Sequence, residues 1–165
     1  MNNSERLEAV KWILERNLAW IAASEVKVGI IVTTNTAMLA VLGSVLGSLP
    51  PSNRTAWACF FSVLAFILCG LAILFAARSI FPKVNGPENS NIFFVRIAKM
   101  SESDYVEQLS NLTIDKFIYD CGSQIHRNAE IACEKYKDVT TSMGLSFFAI
   151  TPWILAVSLL MRDWK

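Results

Sequence analysis

Three long stretches without a charged side chain constrain this chain more than any other feature of its sequence. No Asp, Glu, Lys or Arg lies between Lys27 and Arg54, between Arg54 and Arg78, or between Asp138 and Arg162. Each stretch is longer than the roughly 20 residues with which an α-helix crosses the hydrocarbon core of a membrane. Helices of a soluble domain rarely stay uncharged over such lengths, because one of their faces meets water. The sequence therefore predicts an all-α integral membrane protein with three transmembrane helices.

The positions of Lys and Arg predict how these helices are oriented. Both residues are frequent before the first span and between the second and third spans, whereas the first loop holds only Arg54. Cytoplasmic loops carry an excess of Lys and Arg, so we expect the N-terminus in the cytoplasm and the C-terminus on the periplasmic or external side. The acidic residues before the first span do not fit a cleaved signal peptide. The net charge of +1 gives no reason to expect DNA or RNA as a partner.

The same patterns divide the chain into segments. Apolar residues recur every three or four positions from Leu7 to Ile21, which predicts an N-terminal amphipathic helix at the membrane surface. The stretch "SLPPSN" at 48–53 predicts the outer turn of a helical hairpin. The predicted segments, in chain order, are a cytosolic amphipathic helix at 1–27, a transmembrane hairpin at 28–77 with spans at about 28–49 and 56–77, a cytosolic connector domain at 78–138, a third span at 139–161 and an external tail at 162–165.

The connector domain is predicted to be small and mainly helical. Ser101 and Asp104 form a capping pattern that predicts the start of one helix. A second helix is expected to run from about Ile114 directly into the third span, because no proline interrupts the chain before Pro152. The stretch "IFFVRIAKM" at 92–100 fits either a strand or an interfacial element, since its periodicity does not distinguish the two.

The long last helix has a stripe of apolar and small residues that continues from the connector into the third span. Asn128 and Lys135 are expected to break this stripe. Pro152 is either a kink point in the span or a proline that the membrane tolerates. A continuous helix of this kind could transmit a change in the cytosol to the membrane.

The first span has two different faces. Thr33, Thr36 and several glycines recur on one face at steps of three and four, and the second span has a similar stripe of small residues. Small faces let membrane helices approach closely, so we expect a packed hairpin, with a pore lining as the alternative. Asn35 lies on the opposite, bulky face and needs a hydrogen-bond partner on another helix. We therefore expect the small face inside the protomer and Asn35 between protomers of a homo-oligomer. The predicted packing or pore residues are Gly29, Thr33, Asn35, Thr36, Gly43 and Gly47.

The chemistry-bearing residues predict a binding protein without a cofactor, and not an enzyme. The sequence has no phosphate-binding loop and no spacing typical of metal ligands, and His126 lies on a polar helical face. The connector instead combines aromatic rings, which stack on bases, with cations, which bind phosphates. The alternative is interfacial packing with snorkelling cations. The candidate ligand-binding residues are Phe93, Phe94, Arg96, Lys99, Arg127, Lys135 and Tyr136.

Four tracts, in this order and spacing, resemble a known family. They are "AASEVKVGIIVTTNTAML", "RSIFPK", "NIFFVRIAKMSESDYVEQL" and "QIHRNAEIACEKYKDV". From about Leu14 onward the chain resembles the transmembrane effectors of Pycsar-type antiphage defence. The family-like positions are Glu25, Lys27, Pro82, Phe93, Phe94, Ala98, Lys99, Gln124, Lys135 and Tyr136.

The resemblance implies an effector of the bacterial inner membrane that responds to a cyclic nucleotide made after phage infection. It implies that the active protein impairs the membrane and causes growth arrest or abortive infection, and that Glu25 and Lys27 form a gate at the membrane mouth. No separate cyclic-nucleotide-binding domain is fused to this chain, so either the connector or a nucleotide-sensing partner protein binds the messenger. The expected partners are thus the lipid bilayer, further copies of the chain and the nucleotide or its sensor. The alternative function is a non-enzymatic membrane adaptor or small channel subunit that recruits or restrains a cytosolic partner.

Overall fold

A computed structural model of the chain describes residues 1–50 and 54–162 and has 84% helix. Within these residues there is no strand, so the all-α prediction is confirmed. The "IFFVRIAKM" stretch includes a single helical turn instead of a strand. The helices are α1 (Asn3–Ser48), α2 (Ala56–Ile80), α3 (Phe94–Ile97), α4 (Glu102–Ser110) and α5 (Ile114–Arg162).

Helices α1, α2 and α5 are each long and apolar enough to cross a membrane, which confirms three candidate spans. The amphipathic segment is the first part of α1, because no Gly or Pro separates it from the first span. Arg54 donates to the carbonyls of Leu46 and Leu49 near the end of α1, both at 2.8 Å. The rest of the predicted outer turn, residues 51–53, and most of the predicted tail, residues 163–165, lie outside the described residues.

Helix ends follow the local sequence. The hydroxyl of Ser101 accepts a hydrogen bond from the backbone N–H of Asp104 at 3.1 Å, which confirms the predicted start of α4. Thr55 caps α2 in the same way through the N–H of Ala58. Helix α2 stops two residues before Pro82, whose ring does not fit a helix interior.

The chain forms two compact units. The first unit comprises residues 1–24 and 82–134, and the second comprises the described residues of 25–81 and 135–165. The boundaries fall inside helices, between Ser24 and Glu25 of α1 and between Glu134 and Lys135 of α5.

The core of the second unit is built around the small stripe of α2. Its members, which are all buried, are Ala58, Ser62, Ala65, Cys69, Ala72 and Ala76. Leu42 of α1 and Leu160 of α5 are both fully buried in a cluster with two of these alanines. The prediction that this stripe is a packing face is therefore confirmed.

The two faces of α1 are reversed relative to the prediction. In the second unit its bulky face is buried, including Val28, Asn35 and Leu42, while the small stripe from Gly29 to Gly47 is exposed. The expectation that the small face of α1 packs inside the protomer is wrong. A physical reason is that α2 already presents a small surface, so the large side chains of α1 fill the space beside it.

The stripe of α5 is also more continuous than predicted. Asn128 in the first unit and Lys135 in the second are both buried within it, at 6% and 5% exposure. The expectation that they interrupt the stripe is wrong, because each polar side chain has a hydrogen-bond partner at its end. Pro152 is buried inside α5.

Candidate functional site

The first unit contains a cavity of about 840 Å³ between the loop after α2 and helices α3 and α4. Small-molecule sites in proteins typically have volumes of roughly 300–1,000 Å³. Three of the predicted ligand-binding residues, Phe93, Arg96 and Lys99, line this cavity. Two carboxylates, Glu88 and Asp104, also line it, so the walls carry both signs of charge.

Phe93 forms a wall of the cavity because the chain before α3 turns tightly. The Ser90 hydroxyl accepts hydrogen bonds from the N–H groups of Ile92 and Phe93, at 3.2 and 3.0 Å. The buried Phe93 ring lies so close to Gly86 that a Cβ added there would be 2.6 Å from the ring. Any side chain larger than that of glycine at position 86 would collide with the Phe93 ring, and this close contact holds the ring in place.

Phe94 is placed differently from its neighbour. Its ring packs edge-on against that of Phe93, with 5.4 Å between centroids, yet it is 64% exposed and does not line the cavity. Of the two predicted stacking rings, only Phe93 therefore belongs to the cavity.

The two cations of the cavity differ in how they are held. One Nη of Arg96 donates to the carbonyl oxygen of Glu88 and to Oδ1 of Asn89, the latter at 3.3 Å. The buried Nε of Arg96 has no hydrogen-bond partner within the described residues. Lys99 forms no ion pair with any of the residues that the structure describes, so its ammonium is available to an anion.

Arg127 lies on α5 and holds the loop instead of lining the cavity. Its Nε donates to the carbonyl of Asn85 at 2.8 Å, and its Nη1 donates to Glu130 at 2.9 Å. The hydrogen bond from Arg127 is the main cause that lowers the pKa of Glu130 below its ordinary value of 4.5. Arg127 is therefore a positioning residue for the cavity wall.

Lys135 and Tyr136 belong to the second unit, where they contact the two predicted gate residues. Lys135 is buried, and its ammonium lies 2.6 Å from Oε1 of Glu25. The ammonium of Lys27 lies 5.0 Å from the ring centroid of Tyr136. We call these four residues the collar. Within the collar, Glu25 pairs with Lys135 and Lys27 contacts Tyr136, so each predicted gate residue contacts α5 and not the other gate residue.

Helix α2 contacts α5 beside the collar. The Ser79 hydroxyl lies 3.5 Å from the carbonyl of Lys135, and the Arg78 guanidinium lies 3.8 Å from a carboxylate oxygen of Asp138. Polar contacts thus join all three long helices at this end of the second unit.

A chain of hydrogen bonds joins the three helices again within the apolar stretches. Asn35 donates to Ser146 Oγ at 2.7 Å and to the Ile31 carbonyl at 2.8 Å. Ser146 donates to the Ser142 carbonyl, and the Ser142 hydroxyl donates to the carbonyl of Ala72 in α2 at 2.6 Å. We call Asn35, Ser142 and Ser146 the polar seam.

The polar seam confirms that Asn35 meets another helix, but the predicted partner between protomers is wrong. Its partner is Ser146 of the same chain. Ser142 and Ser146 belong to the stripe of apolar and small residues that was predicted for the last helix, but no hydrogen bond was predicted for them. Their four-residue spacing, in register with buried Val139 and Ala149, was the available signal.

The remaining predicted packing residues form the exposed face of α1. A Cβ added to Gly29, Gly43 or Gly47 would meet no atom within 4 Å, and Thr33 and Thr36 are exposed. This face therefore has no partner within the described residues of the chain.

Sequence reasoning also missed two carboxylates of α5. Buried Asp120 accepts a hydrogen bond from the N–H of Asn91 at 2.5 Å, and Glu134 pairs with Lys83. Both contacts, like that of Arg127, hold the loop after α2. The described residues contain no cluster of His, Cys, Asp and Glu that could hold a metal ion.

Comparison with known proteins agrees with the resemblance read from the four tracts. The family model described as Pycsar effector protein domain matches residues 9–162, which include every residue of the cavity, the collar and the polar seam. No curated protein and no solved structure matches the chain. The family prediction is confirmed: the chain belongs to the Pycsar effector proteins, which act as membrane effectors in antiphage defence.

Proposed function

We propose that this chain is an oligomeric effector of the bacterial inner membrane, activated by a cyclic nucleotide to disrupt membrane integrity and arrest or kill the infected cell. The observation that carries the proposal is the arrangement of contacts along α5. This one uninterrupted helix holds the wall of the cavity through Arg127, the collar through Lys135 and the polar seam through Ser142. A change at the cavity therefore has a continuous element through which it can reach the spans.

The cavity supports direct binding of the nucleotide by this chain. Arg96 and Lys99 supply cations for a phosphate, and Gln108 supplies an amide for the polar edge of a base. The volume accommodates a mononucleotide with room to spare.

The exposed small face of α1 supports self-association. Gly43 and Gly47 are four residues apart on this face, a spacing that lets two membrane helices approach closely. A second copy of the chain presents the same face, so a symmetric contact between two copies of α1 buries it. Oligomerisation thus uses the face opposite to Asn35.

The cations of the chain support one orientation in the membrane. Lys and Arg are frequent in the segments that form the first unit, which favours a cytoplasmic position for this unit and the N-terminus and a periplasmic C-terminus. The cavity then faces the compartment in which a cyclic nucleotide is made.

Dye leakage from liposomes tests the proposal. Purified full-length protein is reconstituted and exposed to cyclic mono-, di- and oligonucleotides, while binding is measured by calorimetry. We expect one class of nucleotide to bind and to cause leakage. Lys99→Gln should weaken binding by about tenfold, because one charged hydrogen bond to phosphate is worth about 1.5 kcal/mol or more.

The matched control is Lys116→Gln, which removes the same charge from an exposed position of the first unit. It should bind the nucleotide as the wild type does. Absence of both binding and leakage across the panel would refute the proposal. Leakage that is equal with and without nucleotide would instead favour a small channel subunit.

A further inference from the structure

The loop that follows α2 is held against α5 at three points. We call residues 83–91 the strap. The contacts, in order along the strap, are the ion pair of Lys83 with Glu134, the hydrogen bond from Arg127 to the Asn85 carbonyl at 2.8 Å, and that from the Asn91 N–H to Asp120 at 2.5 Å. The strap therefore runs antiparallel to α5.

The three side chains of α5 that hold the strap have a regular spacing. Asp120, Arg127 and Glu134 are each seven residues apart, with alternating sign of charge. Seven residues are about two helical turns, and each heptad rotates the position by only ~20°, so the three lie on one face. We call them the ladder.

The other side of the strap forms part of the cavity wall. Asn85, Gly86 and Glu88 line the cavity, and Arg96 donates from within the cavity to the carbonyl of Glu88. The strap is thus held between Arg96 on one side and the ladder on the other.

The present hydrogen-bond acceptors of the Arg96 guanidinium are weaker than a phosphate would be. Its acceptors on the strap, the Glu88 carbonyl and the Asn89 side chain, are neutral, and its buried Nε has no partner within the described residues. A phosphate carries a full negative charge, which these neutral acceptors lack, and it can accept two hydrogen bonds from one guanidinium at the same time. An anion in the cavity therefore competes with the strap for Arg96.

We infer that the strap is a releasable clamp: the phosphate of a bound nucleotide draws Arg96 away from residues 88 and 89, and the strap then separates from the ladder. This inference rests on the proposed function, in which the nucleotide enters the cavity. The contact of Lys83 with Glu134 suits release, because the Glu134 carboxylate is 59% exposed and exposed ion pairs contribute little stability. Asp120, Arg127 and Glu134 act as positioning residues that set how much ligand is needed.

Amide hydrogen exchange of the full-length protein tests the clamp, alongside leakage. Lys83→Glu places two carboxylates together and should raise exchange of strap amides severalfold and lower the activating nucleotide concentration severalfold. The swap variant, Lys83→Glu with Glu134→Lys, should restore both values. Lys11→Glu is the matched control, with the same change of charge at an exposed position of α1, and should behave as the wild type does. In the wild type, the activating nucleotide should itself raise strap exchange.

The outcomes separate the clamp from the function. A wild type that binds nucleotide and leaks, but whose strap exchange does not rise, overturns the clamp alone. The clamp is also overturned if the swap variant keeps the strap exchange and the activating nucleotide concentration of Lys83→Glu. If Lys83→Glu does not fold, Arg127→Gln provides a second test. A wild type that neither binds nucleotide nor leaks overturns both.

Discussion

The hydrogen bond between Asn35 and Ser146 provides the sharpest test of how the spans pack. The perturbation is a double-mutant cycle of Asn35→Ala, Ser146→Ala and the double variant. The donor and acceptor are 2.7 Å apart, and Asn35 has no exposed surface. Interhelical hydrogen bonds in membranes contribute about 0.6 kcal/mol on average and up to about 1.7 kcal/mol. Because this bond is short and buried, we expect a coupling energy of about 1–1.7 kcal/mol.

A cycle is needed because the single substitution mixes opposing effects. Asn35→Ala removes the bonds to Ser146 and to the Ile31 carbonyl, but it also removes the carbonyl Oδ1, which is buried without a partner within the described residues. A buried unpartnered group costs about 1–3 kcal/mol, which is as large as the bonds that are lost. The cycle cancels these terms and leaves the pairwise energy.

The assay is unfolding of the detergent-solubilised protein by added SDS, followed by far-ultraviolet circular dichroism. The control cycle replaces Asn35→Ala with Thr36→Ala, one residue away on the exposed face. Independent sites are additive within about 0.3–0.5 kcal/mol, so the control cycle should stay within this range. The buried face assigned to α1 would be refuted if the coupling energy of Asn35 with Ser146 were no larger than about 0.3–0.5 kcal/mol. It would also be refuted if the coupling energy of Thr36 with Ser146 exceeded this range.

Three further predictions concern the outer face of α1, the collar and the cavity wall. Gly47→Leu should weaken self-association, measured by crosslinking in bilayers, and leave the free energy of unfolding nearly unchanged, because no atom of the described chain lies within 4 Å of an added Cβ. Leu46→Ala, on the inner side, should lower the free energy of unfolding and leave self-association nearly unchanged. Glu25→Ala should lower the free energy of unfolding by about 2 kcal/mol, which is less than the roughly 3–5 kcal/mol for a fully buried pair because the Glu25 side chain is 52% exposed. Lys135→Met should change the free energy of unfolding by less than about 1 kcal/mol, because the Glu25 carboxylate that is left behind can be hydrated. An equal cost for the two in SDS unfolding would contradict the burial of Lys135. Finally, the lowered pKa of Glu130 means that its pairing with Arg127 stabilises the fold above the ordinary pKa of 4.5 and is lost as the pH falls through the lowered folded-state pKa. The wild type should therefore lose more stability on acidification than Arg127→Gln, and parallel unfolding profiles would contradict this.

The sequence was sufficient to predict the number of spans but not which faces they bury. A charge within the hydrocarbon core is costly wherever it lies along a span, so the uncharged stretches alone identify three helices. Choosing the buried face of α1 requires knowing what the neighbouring helix presents. Both of its faces are apolar enough for lipid, and the small surface of α2 selects the bulky one.

The cavity was predicted in part for a related reason. Phe93, Arg96 and Lys99 carry recognisable chemistry in one short tract and were found together. The strap was not predicted, because two of its three contacts use the backbone atoms of Asn85 and Asn91, which leave no trace in the sequence. The ladder residues look like ordinary exposed charges until the loop is placed beside them.

The two faces of α1 differ in how readily they can rearrange. The inner face is joined to α5 by the polar seam and the collar, in which Asn35 and Glu25 each have a partner within 2.7 Å. The outer face offers only small side chains, whose contacts with a second copy would be van der Waals contacts. Breaking the inner contacts exposes a buried ammonium and a buried amide to lipid, whereas sliding two small faces past each other exposes neither. If the chain forms the proposed oligomer, we therefore expect a movement of α5 to change the contact between protomers first. Each protomer should keep its three helices together during the proposed disruption of the membrane.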